Sequence, residues 1–335
     1  MYKAESPARA RATSWEATAY CSRGEADLIR VDDLRKNYGQ NKAVDGISFH
    51  AGTGEIFGLL GPNGAGKTTT ISIISGLLEA TSGTVMVNGQ AMSPTASTVK
   101  KSMGVVPQET ALYEELTARE NLRFWGGLYD MSGARLRERV GEVLALIGLS
   151  DRADDAVKTY SGGMKRRLNL GLGLIHEPQV LLLDEPTVGV DPQARLSILD
   201  VIRAAARKGT TVLYTTHYMQ EAEELCHRLA ILDHGKILAE GTVDELKKMV
   251  GEGEIVTVRG NFTAQQMHRA LEGHPHVRTV SLEDRQAVLA VTGDGGSARL
   301  LQDLLGQALE VDGVNVRPPS LEQVFIKLTG RDLRD

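Results

Sequence analysis

At 335 residues the chain has room for about two domains of ~150 residues each. Hydrophobic residues at 41% and charged residues at 24% exclude intrinsic disorder for most of its length. The 38 basic and 43 acidic residues leave a net charge of −5, which argues against a general nucleic-acid binder, since such proteins need a basic surplus over phosphate.

Residues 1–27 are rich in Ala, Arg, Ser and Thr and have no periodic apolar face, so a disordered N-terminal extension is expected. They lack the apolar stretch of a secretory signal, and Glu5 and Glu16 count against a transit peptide. From Leu28 to about Gly89, the runs LIRVDDL, ISFHA, EIFGLLG and TVMVNG predict short strands bounded by Gly, Asn and Asp. The helical run KTTTISIISGLL follows EIFGLLG, giving strand, Gly-rich loop and helix. Residues 115–149 read as helical, with Leu136, Val140, Val143, Leu144 and Ile147 forming one apolar stripe. VLLLD (180–184) predicts a buried strand, and DPQARLSILDVIRAAARKG a helix with Asp191 as N-cap and Pro192 at its first position. TTVLYTTH reads as a further strand and LAILDHGKILAEG as a hairpin. This alternation implies an α/β domain with a largely parallel sheet.

A boundary is expected near Val250–Gly253, where GEG interrupts the pattern. Beyond it the order is strand EIVTVRG, helix 263–272, strands VRTVSLE and QAVLAVTG, helix 297–310, strand VNVRP and helix 320–329. Thr263 and Gln266 fit a capping box. The order β-α-β-β-α-β is that of a ferredoxin-like unit. No apolar run approaches the ~18 residues of a membrane span; ISIISGLL and LNLGLGLI have the length of core helices. If the protein acts at a membrane, another chain must cross it. Cys21 and Cys226 lie far apart, outside any CxxC or Cys/His cluster, which argues against a disulfide framework and a structural zinc site and fits a reducing compartment.

Residues 61–68, GPNGAGKT, fit G-x-x-x-x-G-K-[ST] in the required context of strand before and helix after. Gly61, Gly64 and Gly66 let backbone N–H groups converge on phosphate oxygens, with Pro62, Asn63, Ala65 and the following Thr69 completing the loop. Lys67 can reach β- and γ-phosphates, and the Thr68 hydroxyl can ligate Mg²⁺. VLLLDE then delivers two carboxylates at the end of a buried strand. Asp184 would hold Mg²⁺, and Glu185 would face the γ-phosphate and orient or deprotonate an attacking water.

YSGGMKRR (160–167) lies between these two motifs, just before a helix. With it the chain resembles the ATP-binding cassette (ABC) family, whose ATPases carry a signature close to L-S-G-G-Q. Ser161, Gly162 and Gly163 match. Tyr160 and Met164 depart from the commonest form, in the manner of the drug-resistance and polyketide-exporter branch, and Met164 offers no polar donor to a nucleotide. The physical logic is a second helix N-terminus aimed at phosphate. The resemblance is dense over residues 28–245 and extends through PPSLEQVFIKLTGRD.

It implies a P-loop ABC cassette with an antiparallel β subdomain and a helical subdomain (about 112–160) within residues 28–250, followed by a C-terminal accessory or regulatory α+β domain over 251–335. It further implies ATP and Mg²⁺ as ligands, Tyr38 stacking on adenine, and Gln108 sensing Mg²⁺ and the attacking water. Asp191 would cross to a partner subunit, and His217 would hydrogen-bond the γ-phosphate. The other seven histidines are expected at the surface or in packing roles. The implied assembly is a head-to-tail dimer with ATP between one subunit's P-loop and the other's Ser161. It would drive a separate membrane permease from the cytoplasmic face, with no nucleic-acid partner. The exporter ATPase is the first reading. A soluble ABC ATPase in translation or DNA maintenance is disfavoured by the single cassette, and by the roughly 100 residues without sustained heptads between P-loop and signature. An importer ATPase is disfavoured because importer tails are often β-barrel-like, whereas this tail reads βαββαβ.

Overall fold

The computed structural model describes residues 27–249, 254–292, 296–306, 309–317 and 320–329. The expected N-terminal extension, up to residue 26, and the expected boundary at 250–253 lie outside the described residues.

An antiparallel sheet opens the chain. Its strands are β1 (Asp27–Tyr38), β2 (Asn41–Gly52), β4 (Ser82–Val87) and β5 (Gln90–Ala91), in the order β2-β1-β4-β5. The central sheet takes β3 (Ile56–Leu60), β6 (Met103–Val106), β7 (Val180–Asp184), β8 (Thr211–Thr216), β9 (Arg228–Asp233) and β10 (Lys236–Thr242), in the order β10-β9-β3-β8-β7-β6. All its neighbours pair in parallel except the β9–β10 hairpin at one edge.

The continuous apolar runs are explained by burial on both faces. Ile56, Leu181, Leu183, Val212 and Tyr214 point into one core, while Phe57, Leu59, Val180, Leu182 and Leu213 point into the other. The first core is covered by α5 (Gly162–Leu174), α6 (Pro192–Arg207) and α7 (Met219–Leu225); α1 (Lys67–Ile74) lies against the second. Two short helices, α2 (Ser97–Lys101) and α8 (Val243–Lys248), complete this part.

The helical region differs from the continuous stretch expected over 115–149. It is two helices, α3 (Ala118–Leu128) and α4 (Gly133–Leu146), broken by a turn in which Asp130 and Gly133 both adopt φ of 61°. Asp and Gly tolerate the left-handed region, which ends an α-helix. Val140, Val143, Leu144 and Ile147 of the expected stripe are buried.

The C-terminal unit has β11 (Glu254–Asn261), α9 (Ala264–Ala270), β12 (Val277–Glu283), β13 (Gln286–Val291), α10 (Gly296–Gly306) and β14 (Glu310–Arg317). Its antiparallel sheet runs β12-β13-β11-β14, the arrangement of a split βαβ unit. The Thr263–Gln266 capping box forms at the start of α9. The last helix, α11 (Leu321–Thr329), turns back onto the cassette. Its Leu321, Val324 and Phe325 enter the same core as Leu225 and Leu246, and the Leu321 amide donates to Glu223 Oε1 at 2.7 Å.

Candidate nucleotide site

The loop expected to bind phosphate joins the buried end of β3 to α1. Gly66 has φ of 105°, and a Cβ there would lie 2.5 Å from the Ala43 carbonyl oxygen; a Cβ at Gly61 would lie 2.3 Å from that of Leu232. Only glycine fits these two positions. No side chain caps the first N–H groups of α1, which leaves donors and a positive helix end directed at the loop.

A cleft of about 470 Å³ opens over this loop. Tyr38, Asn63, Gly64, Gly66, Lys67, Thr68, Thr69, Gln108 and Glu185 all line it, although they lie almost 150 residues apart at the extremes. Gly61, Pro62 and Ala65 of the loop do not line it, nor do Asp184 and His217, which sit beside Glu185. The cleft also takes Asn41, Lys42, Ala43 and His234, which the sequence did not single out. His234 arrives on the turn between β9 and β10, so surface placement held for it, but next to the site.

Lys67 is only 4% exposed. Its Nζ donates to the carbonyls of Gly61 (2.7 Å) and Pro62 (3.0 Å) and sits 3.0 Å from Glu185 Oε1. The lysine expected to hold phosphate and the carboxylate expected to activate water therefore form a buried ion pair. Glu185 has φ of 46°, a strained conformation for glutamate, held by its amide donating to Thr215 Oγ1 at 3.1 Å. The other Glu185 oxygen lies 3.3 Å from His217 Nδ1, near enough to interact but off hydrogen-bond alignment. Asp184 is buried beside it and accepts from Thr215 Oγ1 at 2.7 Å. The hydroxyl of Thr68, the Asp184 carboxylate and the Gln108 amide are hard oxygen donors suited to Mg²⁺. No cluster of three or more His, Cys, Asp or Glu able to hold a metal occurs among the described residues. A Mg²⁺ carried largely by phosphates needs no such cluster.

The signature residues stand apart from this cleft. Ser161 caps α5, accepting from the Met164 amide at 3.2 Å, and Ser161 and Gly162 are exposed. Asp191 caps α6 through the amides of Gln193 and Ala194. A Cβ at Gly163 would come within 3.3 Å of Asp191 Oδ2 and 2.6 Å of Ala194 Cβ, so the two helix starts pack together. None of Ser161, Gly162, Gly163 and Asp191 lines the Tyr38–Glu185 cleft. Met164 is half-buried against the core.

Two residues of α5 connect these parts, and the sequence reading missed both. Buried Arg166 donates to the carbonyls of Gln108 and, at 3.1 Å, Val188; its burial lowers the guanidinium pKa. Asn169 accepts from the Ala111 amide at 3.1 Å. Arg166 lies in a KRR run and Asn169 between two leucines, and neither position carries a signal of what it reaches.

A family model described as ABC transporter matches residues 44–188, and one described as ATP-binding protein DrrA1-3-like, C-terminal domain, matches 241–329. The linearmycin resistance ATP-binding protein LnrL of Bacillus subtilis (strain 168) is 41% identical over 312 residues, spanning 92% of this chain and 100% of its own. The chain belongs to the ABC transporter family. This ABC protein is an ATP-binding subunit, an ATPase that uses ATP with Mg²⁺. The Nod factor export ATP-binding protein I of Paraburkholderia xenovorans (strain LB400) is 38% identical, spanning 92% of this chain and 98% of its own. Among solved structures, a dimeric ATP-binding cassette bound to ADP and Pi in a post-hydrolysis state is similar, with a TM-score of 0.59 and 25% identity. That match covers 64% of this chain and 98% of the other. No described helix of this ABC subunit is long and apolar enough to cross a membrane.

Proposed function

We propose that this ABC subunit is the motor of a drug-resistance or polyketide-type exporter. It would work as a head-to-tail dimer on the inner face of the membrane, bound to a separate permease. The cassette is residues 28–250 and the accessory unit 251–335, with α11 returning to seal the cassette core. The observation that carries this reading is the division of the site: one cleft unites Tyr38, the P-loop, Gln108 and Glu185, while Ser161 and Asp191 lie outside it. A second copy must supply the missing donors.

In this reading adenine stacks on the half-exposed ring of Tyr38, and the N–H groups of residues 61–69 surround the phosphates. Thr68, Asp184 and Gln108 would hold Mg²⁺, which would supply neutralisation of phosphate charge. The phosphates draw Lys67 from Glu185, which frees the carboxylate to orient a water and take its proton. His217 donates to the γ-phosphate. Ser161, Gly162 and Gly163 of the partner cover the γ-phosphate, and Asp191 crosses the interface. Loss of the γ-phosphate contacts reopens the dimer. Exposed Tyr113 and Phe124, packed edge to face a few residues beyond Gln108, would give the permease an aromatic contact. The relatives named for linearmycin resistance and Nod factor export support outward transport.

A mixed dimer tests the shared site. Lys67→Ala and Ser161→Arg homodimers should each be nearly inactive, and a purified heterodimer should regain partial ATPase activity from its one intact pairing. Substantial activity in the Ser161→Arg homodimer would remove the signature from the interface.

A further inference from the structure

Glu221, in the first turn of α7, is fully buried and has no part in the mechanism above. Its Oε2 accepts three hydroxyls: Tyr214 at 2.6 Å, Thr187 at 2.8 Å and Thr216 at 3.0 Å. Its Oε1 lies 2.9 Å from Arg195 Nε. Burying a carboxylate is expensive, and apolar packing of the same volume commonly gives equal or greater stability. A carboxylate retained at the meeting point of several segments therefore suggests a geometric task.

Those segments are the ones that carry the proposed site. Thr187 is two residues beyond Glu185, in a turn closed by the Val188 amide donating to the Glu185 carbonyl at 3.3 Å. Thr216 directly precedes His217, and its hydroxyl also accepts from the Tyr218 amide at 2.9 Å. Tyr218 in turn packs against the His217 ring, with centroids 4.1 Å apart. Arg195 lies in the first turn of α6, and its amide donates to the Asp191 carbonyl at 3.0 Å. One buried carboxylate thus ties together the segments bearing Glu185, His217 and Asp191. The carboxylate accepts from three hydroxyls through one oxygen and pairs by charge with Arg195 through the other, off hydrogen-bond alignment; no apolar or neutral amide side chain combines the two.

We propose that Glu221 is a positioning residue for ATP hydrolysis: it holds Glu185 and His217 in register with each other and with the Asp191 loop. It acts through these groups and touches no substrate. The proposal rests on the roles given above to Glu185 and His217.

The test uses the full chain with Glu221→Gln, Thr187→Val and Thr187→Ser, each checked by thermal melting and circular dichroism. Glu221→Gln keeps the volume but turns an amide N–H₂ toward Arg195 or toward the hydroxyls. Thr187→Val is isosteric and removes one donor, and Thr187→Ser restores it. A displaced catalytic group typically costs about 10- to 100-fold. We expect kcat to fall by about that much in Glu221→Gln and by about tenfold in Thr187→Val, with recovery in Thr187→Ser. The Kd for ATP should stay within about threefold of the parent, because the P-loop contacts are untouched. Thr187→Val should add no further loss of turnover on a Glu185→Gln background, since groups acting as a unit are non-additive. Normal kcat in folded Thr187→Val and Glu221→Gln overturns the proposal. So does a loss of ATP affinity in proportion to kcat, or a multiplicative effect with Glu185→Gln. If Glu221→Gln does not fold, the Thr187 pair decides. Near-normal turnover in Glu185→Gln alone sinks the site assignment itself; an inactive Glu185→Gln beside normal Thr187 and Glu221 variants sinks only this inference.

Discussion

Substituting Glu185→Gln keeps the side chain's volume and removes its charge, and two consequences separate cleanly. The first is on chemistry. Losing a positioned base slows turnover by about 10²–10⁴-fold, equivalent to about 3–5 kcal/mol in the barrier. The second is on ATP binding. Lys67 Nζ lies 3.0 Å from Glu185 Oε1, and at an effective dielectric of ~20 the attraction between unit charges at that distance is about 5 kcal/mol. Desolvation of two buried ions opposes most of it, and the Gln oxygen retains a hydrogen bond to the ammonium worth about 1 kcal/mol. What remains to be lost is at most about 1.4 kcal/mol, or up to about tenfold in affinity. Because the pair competes with phosphate for Lys67, the variant should bind ATP as tightly as the parent or up to about tenfold more tightly. Steady-state phosphate release and titration with a fluorescent ATP analogue measure the two effects. Gel filtration with ATP should also show a longer-lived dimer, since the γ-phosphate persists. A kcat within about threefold of the parent would remove Glu185 as the base. ATP binding weakened beyond about tenfold would refute the competition between Glu185 and phosphate for Lys67.

Phe325→Ala empties a fully buried site where α11 meets the cassette; a loss of about 3–5 kcal/mol in denaturant melts is expected, and a loss under about 1 kcal/mol would mean that α11 does not seal the core. Asp191→Ala removes the N-cap of α6 and should cost about 1 kcal/mol, whereas Asp191→Asn should keep most of it; equal melting of the two variants would separate Asp191 from its capping role. Burial pushes the His176 pKa down from 6.5 to about 4, and its Nε2–H donates to the Met103 carbonyl at 3.0 Å. The unfolded chain takes up this proton first, so the histidine's contribution is complete above pH ~6.5 and falls by up to about 3 kcal/mol as pH drops to about 4. His176→Phe should lack this component, and parallel slopes of stability against pH for parent and variant across that window would contradict it.

Contiguous features were legible in the sequence because their physics is local. GPNGAGKT demands glycines where a Cβ would strike the Ala43 or Leu232 carbonyl, and that demand shows in one dimension. VLLLDE reads as a strand buried on both faces that ends in carboxylates, and β7 is that strand. Asp191 and Ser161 announce helix starts, and both cap them. The ferredoxin-like order of the C-terminal unit followed from alternating periods, and its sheet has the matching topology. Only the tertiary structure decided which distant groups share a space. The left-handed break at Asp130 and Gly133 divides a stretch whose periodicity reads as helix, because the turn costs two residues and little apolar content. Polar residues read as surface along the chain, yet Arg166 reaches the Gln108 loop and Glu221 gathers hydroxyls from two segments and an ion-pair partner from a third in the interior. The Lys67–Glu185 pair and the return of α11 to the cassette core join residues more than about 70 positions apart. A periodic pattern records how much of each residue is buried. The identity of the neighbour is set by how the sheets and helices pack, and it leaves no mark on the spacing of residues.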